Sequence, residues 1–458
     1  MVKKIFPIIL IFILLFSLVF STNASAYEIS GFEVRAKTAL LVSLDTDEVI
    51  YSKNADEKMY PASLTKIMTA VIVLENTEDL DKETVTVSKS ALTKILGTGS
   101  TVMGLVEGEV VTARQLLYGL LMTSGGDAAY VITEHWGGTT SEFAKLMNNK
   151  AKELGMNSTN FVNPHGLHDD DHYTTASDLA KLIKHALQFE DFKTIVGARR
   201  YSMEATNLYK ARTLVTTNYL IDSSTAYYYR YVKGIKTGYT DMAGRCLATY
   251  AEKNGYEYMC ILMGSPNKNE AGQSVRYEFT DTKNLYEWAF NNFEYKNIGN
   301  TTLPICEMPV ELSMDAEHVS LVLERDFAAI MPKQANDSTI QVVPHLVAEK
   351  VKAPVKKGDL LGTADVMYAE QVIATVNLVA ANDVESSGML VVLSHIKGFF
   401  TSKFFKAFVI IILMLLVLFA MYCVYLNRNR SRKKRKVVYK PLKKEEIDNN
   451  NHDYFNLY

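Results

Sequence analysis

A serine and a lysine stand three positions apart in the segment YPASLTKIMTA, residues 60–70. Proline suits the start of a helix, and apolar residues follow Pro61 at helical spacing, so the segment predicts a helix that begins near Ser63. Side chains three positions apart share a helical face, so Ser63 and Lys66 are expected to meet. A neutral lysine can take the proton of a serine hydroxyl, and the pair therefore predicts a serine nucleophile with a lysine base.

Two further segments carry groups that suit the same chemistry. Lys236, Thr237 and Gly238 lie in GIKTGYT, on a predicted edge strand, where a glycine lets a substrate backbone approach closely. The lysine and threonine side chains can bind a carboxylate. Ser124 follows a helical pattern over residues 112–123, and at this helix end its hydroxyl can relay a proton.

The segments around these groups predict an α+β fold. Apolar runs on both sides of the turn at residues 45–47 predict a β-hairpin, and alternating β-branched residues over 233–266 predict further strands. Helical patterns lie between them, at residues 112–123, 139–155 and 175–187. This order favours an antiparallel sheet with helices segregated from it. From about residue 300, short strand-like runs predict a small all-β domain, in which no chemistry is expected.

Two apolar segments indicate export and membrane attachment. Residues 1–26 have a basic start, an apolar core and a small-residue cleavage site, which is typical of a signal peptide; an uncleaved anchor is the alternative. Residues 407–426 are uncharged and long enough for a transmembrane helix. Because a basic tail, 427–458, follows the span, we expect a single-pass protein of the cell membrane with its body outside the cytoplasm and its tail inside. The juxtamembrane segment 386–406 is either amphipathic along the membrane surface or a plain linker.

The charge distribution argues against nucleic acid as a partner. The formal net charge is −2 for the whole chain, but residues 1–26 carry +2 and residues 427–458 carry +6, which leaves −10 for residues 27–426. Phosphate contacts need clustered cations, so a body this acidic is a poor binder of nucleic acid. The basic tail lies beside the predicted span, where it favours membrane topology and attraction to anionic lipid.

The order S-x-x-K, Ser-Gly-Gly and K-T-G is the motif set of penicillin-recognising serine enzymes. With the segments LLMTSGGDAAYVI, NPHGLHDDDHYTTASDLA and APVKKGDLLGTADV, the chain resembles the low-molecular-mass penicillin-binding proteins that are serine-type D-alanyl-D-alanine carboxypeptidases, from about residue 30 to 380. The resemblance implies a penicillin-binding or serine β-lactamase-like fold followed by an all-β domain. The predicted division is a catalytic domain at 27–297 and an all-β domain at 298–385.

The resemblance also implies the chemistry. Ser63 attacks the carbonyl between the two D-alanines of a peptidoglycan stem peptide, Lys66 takes its proton, D-alanine leaves, and water releases the shortened peptide. Backbone N–H groups of Ser63 and Tyr239 are expected to form the oxyanion hole, and Lys236 and Thr237 to hold the terminal carboxylate. β-Lactams are expected to acylate the serine, and neither a cofactor nor a metal is expected.

One position departs from the family pattern. The second motif is usually Ser-x-Asn, whereas Ser124 is followed by Gly125, Gly126 and Asp127. The asparagine normally lies near Lys66 and the substrate's amide, and loss of one positioned polar group lowers rates on the order of 10²-fold. Asp127 replaces it only if the loop shifts, and an acid beside Lys66 would favour the charged lysine. Two alternatives to the carboxypeptidase stay open: a catalytically weak penicillin-binding module that senses or scaffolds the wall, and a β-lactamase, for which a clear Glu-x-x-Leu-Asn segment is missing.

The remaining candidates have simpler interpretations. The histidines and aspartates of HGLHDDDH, residues 165–172, can hold a divalent ion, but the family loop explains them without a metal. Asp178 is interpreted as a first-turn helix residue and Arg245 as a sheet-surface or carboxylate-helping residue. The aromatic residues at 226–232 either line a groove or pack beside the sheet. The four cysteines show no metal-ligand spacing, and a disulfide among them is possible but not implied.

Overall fold

The structure, a computed structural model, describes Ile29 and residues 31–335, 339–368 and 371–434. The predicted signal peptide and residues 435–458 of the basic tail lie outside these residues. The described residues form two compact units. The first unit comprises the residues up to Leu303 with Leu323–His345 and Thr363–Asn377, and the second comprises Pro304–Val322, Leu346–Gly362 and the residues from Leu378 onward.

The described part of the chain contains ten α-helices, numbered in chain order. They are α1 Thr65–Glu75, α2 Lys89–Ile95, α3 Ala113–Leu121, α4 Gly126–Gly137, α5 Thr140–Glu153, α6 Ala176–Ala186, α7 Glu190–Gly197, α8 Tyr277–Asn292, α9 Gly388–Thr401 and α10 Lys403–Lys434.

The same residues contain seventeen β-strands. They are β1 Thr38–Ser43, β2 Val49–Lys53, β3 Thr84–Thr86, β4 Val110–Thr112, β5 Arg200–Met203, β6 Arg212–Val215, β7 Val232–Thr240, β8 Gly244–Lys253, β9 Tyr256–Ser265, β10 Phe293–Gly299, β11 Cys306–Glu311, β12 His318–Leu323, β13 Phe327–Pro332, β14 Ile340–Leu346, β15 Val351–Lys352, β16 Leu360–Tyr368 and β17 Gln371–Ala380.

The main sheet of the first unit places the K-T-G motif at an edge. Its order is β2-β1-β9-β8-β7, and every neighbouring pair is antiparallel. The N-terminal hairpin β1–β2 therefore joins the later strands through β9, and β7 is an edge strand. The predicted α+β class, hairpin and edge strand are confirmed.

Alternate residues of the central strands enter two hydrophobic cores, because successive side chains of a strand point to opposite faces. Leu40 and Ile261 pack in one core with helix α1, whereas Leu41 and Cys260 pack in the other with Tyr286 of helix α8. Helices therefore cover both faces of the sheet. All residues of α1 from Thr65 to Leu74 are buried, so the helix that follows Ser63 runs through the interior.

Three helices predicted from apolar periodicity begin one residue later than their patterns suggest. The first residue of each pattern is a threonine whose hydroxyl caps the helix by accepting a backbone N–H two or three residues into it. Thr112 accepts from Gln115, Thr139 from Glu142 and Thr175 from Asp178.

The second unit contains strand pairs and the C-terminal helices. Strand β11 pairs antiparallel with β12 and parallel with β15. Among the described helices, one is long and apolar enough to cross a membrane, over Lys403–Asn429, and it contains the predicted span. Helix α9 occupies the juxtamembrane segment, begins after the cap Ser387 and buries none of its side chains.

Candidate active site

Ser63 lies in a single 3-10 turn, Ala62–Leu64, directly before helix α1. The residue in front of it, Ala62, has φ +47°, in the left-handed region that side chains other than glycine rarely adopt. The Thr65 hydroxyl donates to the Ala62 carbonyl oxygen at 2.8 Å, which closes the turn from inside. The nucleophile predicted from the sequence therefore stands at a sharply bent and hydrogen-bonded helix entrance.

A buried histidine holds the same turn from the other side. His172 Nε2 lies 2.8 Å from Thr65 Oγ1, and the Val162 N–H donates to His172 Nδ1 at 3.1 Å. Since Nδ1 accepts, the ring proton is on Nε2, and it is donated to the threonine. Burial lowers the pKa of His172 to about 4, so the ring is neutral at pH 7.

Lys66 meets Ser63 as predicted. Its Nζ donates to Ser63 Oγ at 3.0 Å and to the His165 carbonyl oxygen at 2.7 Å, and the residue is 1 % exposed. Burial lowers the pKa of Lys66 to about 7, against the opposing effect of the negative charge of Asp127. A substantial neutral fraction at pH 7 makes this lysine a competent base.

Ser124 lies in the turn between helices α3 and α4, with φ +61°. Its carbonyl oxygen accepts a hydrogen bond from the Thr101 hydroxyl at 2.7 Å. The residue is 6 % exposed, and what is exposed lines the same cavity as Ser63. Ser124 therefore lies just after a helix end, as predicted, and its left-handed backbone angle turns the chain from helix α3 into helix α4.

The K-T-G segment of β7 approaches the Ser63 turn very closely. A Cβ added to Gly238 would lie 3.0 Å from the backbone nitrogen of Ser63 and 3.2 Å from the Pro61 carbonyl oxygen. We predicted that this glycine lets a substrate backbone approach closely. In the structure, the backbone that lies against it is that of the protein's own turn at Ser63.

The two K-T-G side chains divide between the interior and the cavity. Lys236 is 1 % exposed and donates to the Thr237 carbonyl oxygen at 2.9 Å. Burial, with the nearby charge of Lys66, holds the pKa of Lys236 well below its usual range. Thr237 lines the cavity, and its Oγ1 lies 2.6 Å from that of Thr217.

These elements enclose a cavity of about 420 Å³. Of the residues predicted to form the site, Ser63, Ser124, Thr237, Gly238 and Tyr239 line it, while the two lysines lie behind its wall. A serine hydroxyl with a buried lysine base, at the mouth of a polar cavity, can form and break an acyl ester.

A family model described as D-alanyl-D-alanine carboxypeptidase matches residues 22–267, which include all three motifs of the site. The chain belongs to this family. Its members are serine-type peptidases, as the S-x-x-K pair predicted. A second model, for the C-terminal domain of penicillin-binding protein 5, matches residues 309–386, which overlap most of the region predicted to be all-β.

Curated relatives and solved structures of carboxypeptidases agree with this assignment. The D-alanyl-D-alanine carboxypeptidase DacF of Bacillus subtilis is 31% identical, with 80% of this chain and 90% of the relative covered. The crystal structure of penicillin-binding protein 5 from Haemophilus influenzae is 28% identical, with a TM-score of 0.63 and coverage of 78% and 100%. The Streptomyces K15 DD-transpeptidase is 28% identical, with a TM-score of 0.52 and coverage of 57% and 100%. The predicted penicillin-binding-protein fold and the carboxypeptidase function are confirmed.

Two arginines of this carboxypeptidase line the cavity near Tyr239, and only one of them was noted in the sequence. Arg276 lies just before helix α8, and its Nε donates to Glu278 at 2.5 Å. Arg245 lies over the Tyr239 ring, 5.2 Å from its centroid. Arg276 follows the K-T-G motif after two strands and a loop, and no local pattern marks it. These cations give the cavity a wall suited to a carboxylate.

Asp127 does not replace the missing asparagine. Its carboxylate accepts from the backbone N–H groups of Met103, Gly104 and Leu105 at 2.9, 2.9 and 3.1 Å, and the residue is 2 % exposed. These contacts fix the 97–105 loop, which runs from Gly97 to Leu105, against the start of α4. The expected effect on Lys66 is present, but burial of the lysine outweighs it.

The histidines of residues 165–172 contact protein groups. His165 Nε2 lies 2.8 Å from the Tyr130 hydroxyl, His168 packs edge-on against Tyr60, and His172 holds Thr65. Within the described residues, no group of three histidine, cysteine or acidic side chains can hold a metal ion.

The other minor candidates also have structural partners. Asp178 accepts from the Ser158 N–H and the Thr159 hydroxyl, both at 2.8 Å. The aromatic segment packs beside the sheet, where Tyr227 contacts Phe279 and Tyr229 contacts Tyr286. The four cysteines all lie within the described residues and are free thiols.

Proposed function

We propose that the chain removes the terminal D-alanine from peptidoglycan stem peptides through an acyl-enzyme on Ser63. The 3.0 Å contact between Lys66 Nζ and Ser63 Oγ carries the proposal, because the pKa of Lys66 is lowered to about 7. Neutral Lys66 takes the serine proton as Oγ attacks the carbonyl carbon. The proton passes by way of Ser124 to the amine of the departing D-alanine. Water then attacks the acyl-enzyme, the same basic groups take its proton, and the Ser63 oxygen is protonated as the shortened peptide leaves.

Backbone and cavity groups position the substrate in this proposal. The N–H groups of Ser63 and Tyr239 stabilise the tetrahedral oxyanion. The Thr237 hydroxyl and Arg276 hold the terminal carboxylate. Lys236 does not contact the substrate in this proposal. Its amino group donates to the Thr237 carbonyl oxygen and so positions the strand that carries Thr237. A β-lactam acylates Ser63 in the same cavity, because its reactive amide takes the place of the peptide bond.

One observation favours a second candidate, a penicillin-binding module with weak turnover. Position 126 lacks the amide that the family pattern places near the base and the substrate's amide. Acylation of Ser63 would then persist while release of D-alanine becomes slow. The two candidates differ in turnover and not in their reactive serine.

The test uses the full chain in detergent micelles with a pentapeptide that ends in D-Ala-D-Ala. Released D-alanine is measured for the unaltered chain and for Ser63→Ala. Release that the substitution abolishes supports the carboxypeptidase. Labelling of Ser63 by a fluorescent penicillin without release would favour the binding module. Equal release by both proteins would contradict an acyl-enzyme on Ser63.

We also propose the cellular arrangement. Helix α10 contains a candidate membrane anchor, and the basic residues after it favour a cytoplasmic tail with the body on the outer side. The stem peptides of the wall lie on that side. The proposed division of the body is a catalytic domain at 27–297 and an all-β domain at 298–385, and the family-model matches at 22–267 and 309–386 support it.

A further inference from the structure

The space next to Gly126 is filled by other residues. A Cβ added to this glycine would lie 2.5 Å from Ser100 Oγ and 2.5 Å from Ile95 Cδ1. Two heavy atoms without a bond between them do not approach so closely, so an asparagine cannot be accommodated here unless both neighbours move. Gly126 and Ser100 therefore depend on each other: the Ser100 hydroxyl occupies the volume that the Cβ of a larger residue at position 126 would need.

Ser100 is held there by the backbone of the 97–105 loop. The Gly126 N–H donates to the Thr101 carbonyl oxygen at 2.7 Å, and the Thr101 hydroxyl donates to the Ser124 carbonyl oxygen at 2.7 Å. Asp127 holds the far end of the loop through its three backbone contacts. The part of the loop that follows Ser100 is thus fixed, at Thr101 and at residues 103–105, to the residues of the second motif.

The Ser100 hydroxyl is available to a ligand. The residue is partly exposed and lines the cavity together with Ser63 and Ser124. Within the described structure, its Oγ makes one long contact, 3.4 Å to the Thr101 carbonyl oxygen. A serine hydroxyl can donate one hydrogen bond and accept others, which are the two capacities of a carboxamide.

We propose that Ser100 contacts the amide of the bound stem peptide and so performs the substrate-binding role that the family assigns to the missing asparagine. The inference rests on the proposed function, since it concerns the same cavity and the same substrate. The hydroxyl reaches the cavity from the 97–105 loop and not from helix α4. Substrate contact at this position therefore depends on the order of that loop.

The first test compares acylation of the detergent-solubilised full chain by a fluorescent penicillin, and D-alanine release, for Ser100→Ala and for Thr98→Ala. The Thr98 hydroxyl donates to the Ile95 carbonyl oxygen at 2.8 Å, accepts from the Ser100 N–H at 3.3 Å and does not line the cavity, so its loss loosens the backbone at Ser100 without removing a cavity hydroxyl. We expect kcat/KM and the acylation rate constant to fall about tenfold in Ser100→Ala, the equivalent of one hydrogen bond, and to change less than threefold in Thr98→Ala.

A second set of variants tests whether an asparagine amide at position 126 can replace the hydroxyl of Ser100. Gly126→Asn alone is expected to acylate at least tenfold more slowly, because the new side chain collides with Ser100 and Ile95. The triple variant Ile95→Val, Ser100→Gly, Gly126→Asn removes both obstructing atoms and supplies an amide. Its acylation rate is expected to return to within about threefold of the unaltered chain, and circular dichroism checks that each variant is folded.

The outcomes separate this inference from the function on which it rests. Normal acylation and release in Ser100→Ala would overturn the inference and leave the carboxypeptidase intact. Equal losses in Ser100→Ala and Thr98→Ala would also overturn it, since loop order alone would then explain the effect. If the unaltered chain releases no D-alanine, the proposed function fails while acylation still measures the contribution of Ser100. A chain that penicillin does not label would overturn both.

Discussion

The amino group of Lys66 is fixed by two contacts, 3.0 Å to Ser63 Oγ and 2.7 Å to the His165 carbonyl oxygen, from a residue 99 positions later in the chain. The first contact follows from helical spacing. The second requires the loop after helix α5 to close over helix α1. The base is therefore oriented by local structure and by the tertiary fold together.

Acylation is expected to speed up as the pH rises through about 7. The pKa of Lys66 is lowered to about 7, and only the neutral amine can accept the serine proton, so the reactive fraction grows above this pH and falls below it. The measurement is the acylation rate constant with a fluorescent penicillin between pH 5.5 and 8.5. A rate that is constant or that falls across this range would show that Lys66 is not the base.

Loss of the Thr237 hydroxyl is expected to weaken substrate binding more than the chemical step. Thr237→Val keeps the shape of the side chain but removes the group that we assign to the carboxylate, so KM should rise roughly tenfold with a smaller change in kcat. Thr237→Ser is the matched control, because it restores the hydroxyl and should recover KM. Equal KM values for the valine and serine variants would remove Thr237 from the carboxylate site.

Asp127 is expected to contribute mainly to stability. Asp127→Ala would leave three backbone N–H groups of the 97–105 loop without their carboxylate acceptor, a loss on the order of 3 kcal/mol. For a domain of this size, the melting temperature should fall by ~10 °C. Circular dichroism melting of the full chain measures it, with Asp170→Ala as control because the Asp170 side chain is 89% exposed. Matching melting curves for the two variants would contradict this role.

Membrane attachment is expected to reside in the C-terminal helices. A chain that ends at Glu385 lacks both α9 and α10 and should move from the membrane fraction to the soluble fraction, whereas the full chain should need detergent. A chain that ends at Ser402 retains α9 and decides whether this helix binds the membrane surface or is a linker. Membrane association of the chain that ends at Glu385 would place the anchor elsewhere.

The features that the sequence predicted well depend on neighbours along the chain. The pairing of Ser63 with Lys66 depends on a spacing of three residues, and helices α3, α5 and α6 follow from apolar periodicity, although each begins one residue later than its pattern. The edge position of the K-T-G strand also followed from its local pattern. In each case the relevant residues lie within one helix or one strand, so the spacing of residue types along the chain is enough to predict the feature.

The features that the sequence did not predict arise from the tertiary fold. Arg276 lies in the cavity wall just before helix α8, which packs against strands β8 and β9, so its position depends on a tertiary contact. The charge of Asp127 acts on Lys66 as expected, but its three N–H partners come from residues 103–105, on a separate loop that the sequence did not indicate. The sequence also does not show that Ser100 fills the space at Gly126, because a glycine has no side chain whose type or spacing could predict its neighbours.

The turns that carry Ser63 and Ser124 share a backbone property that bears on stability. Ala62, just before Ser63, and Ser124 itself both have left-handed backbone angles, which disfavour folding by roughly 1 to 3 kcal/mol each in residues other than glycine. A glycine at position 62 would relieve this strain and also free the turn that aims the nucleophile. Stability to heat and catalytic turnover are therefore opposed in these turns, and a selection for stability alone would favour substitutions here that lower activity.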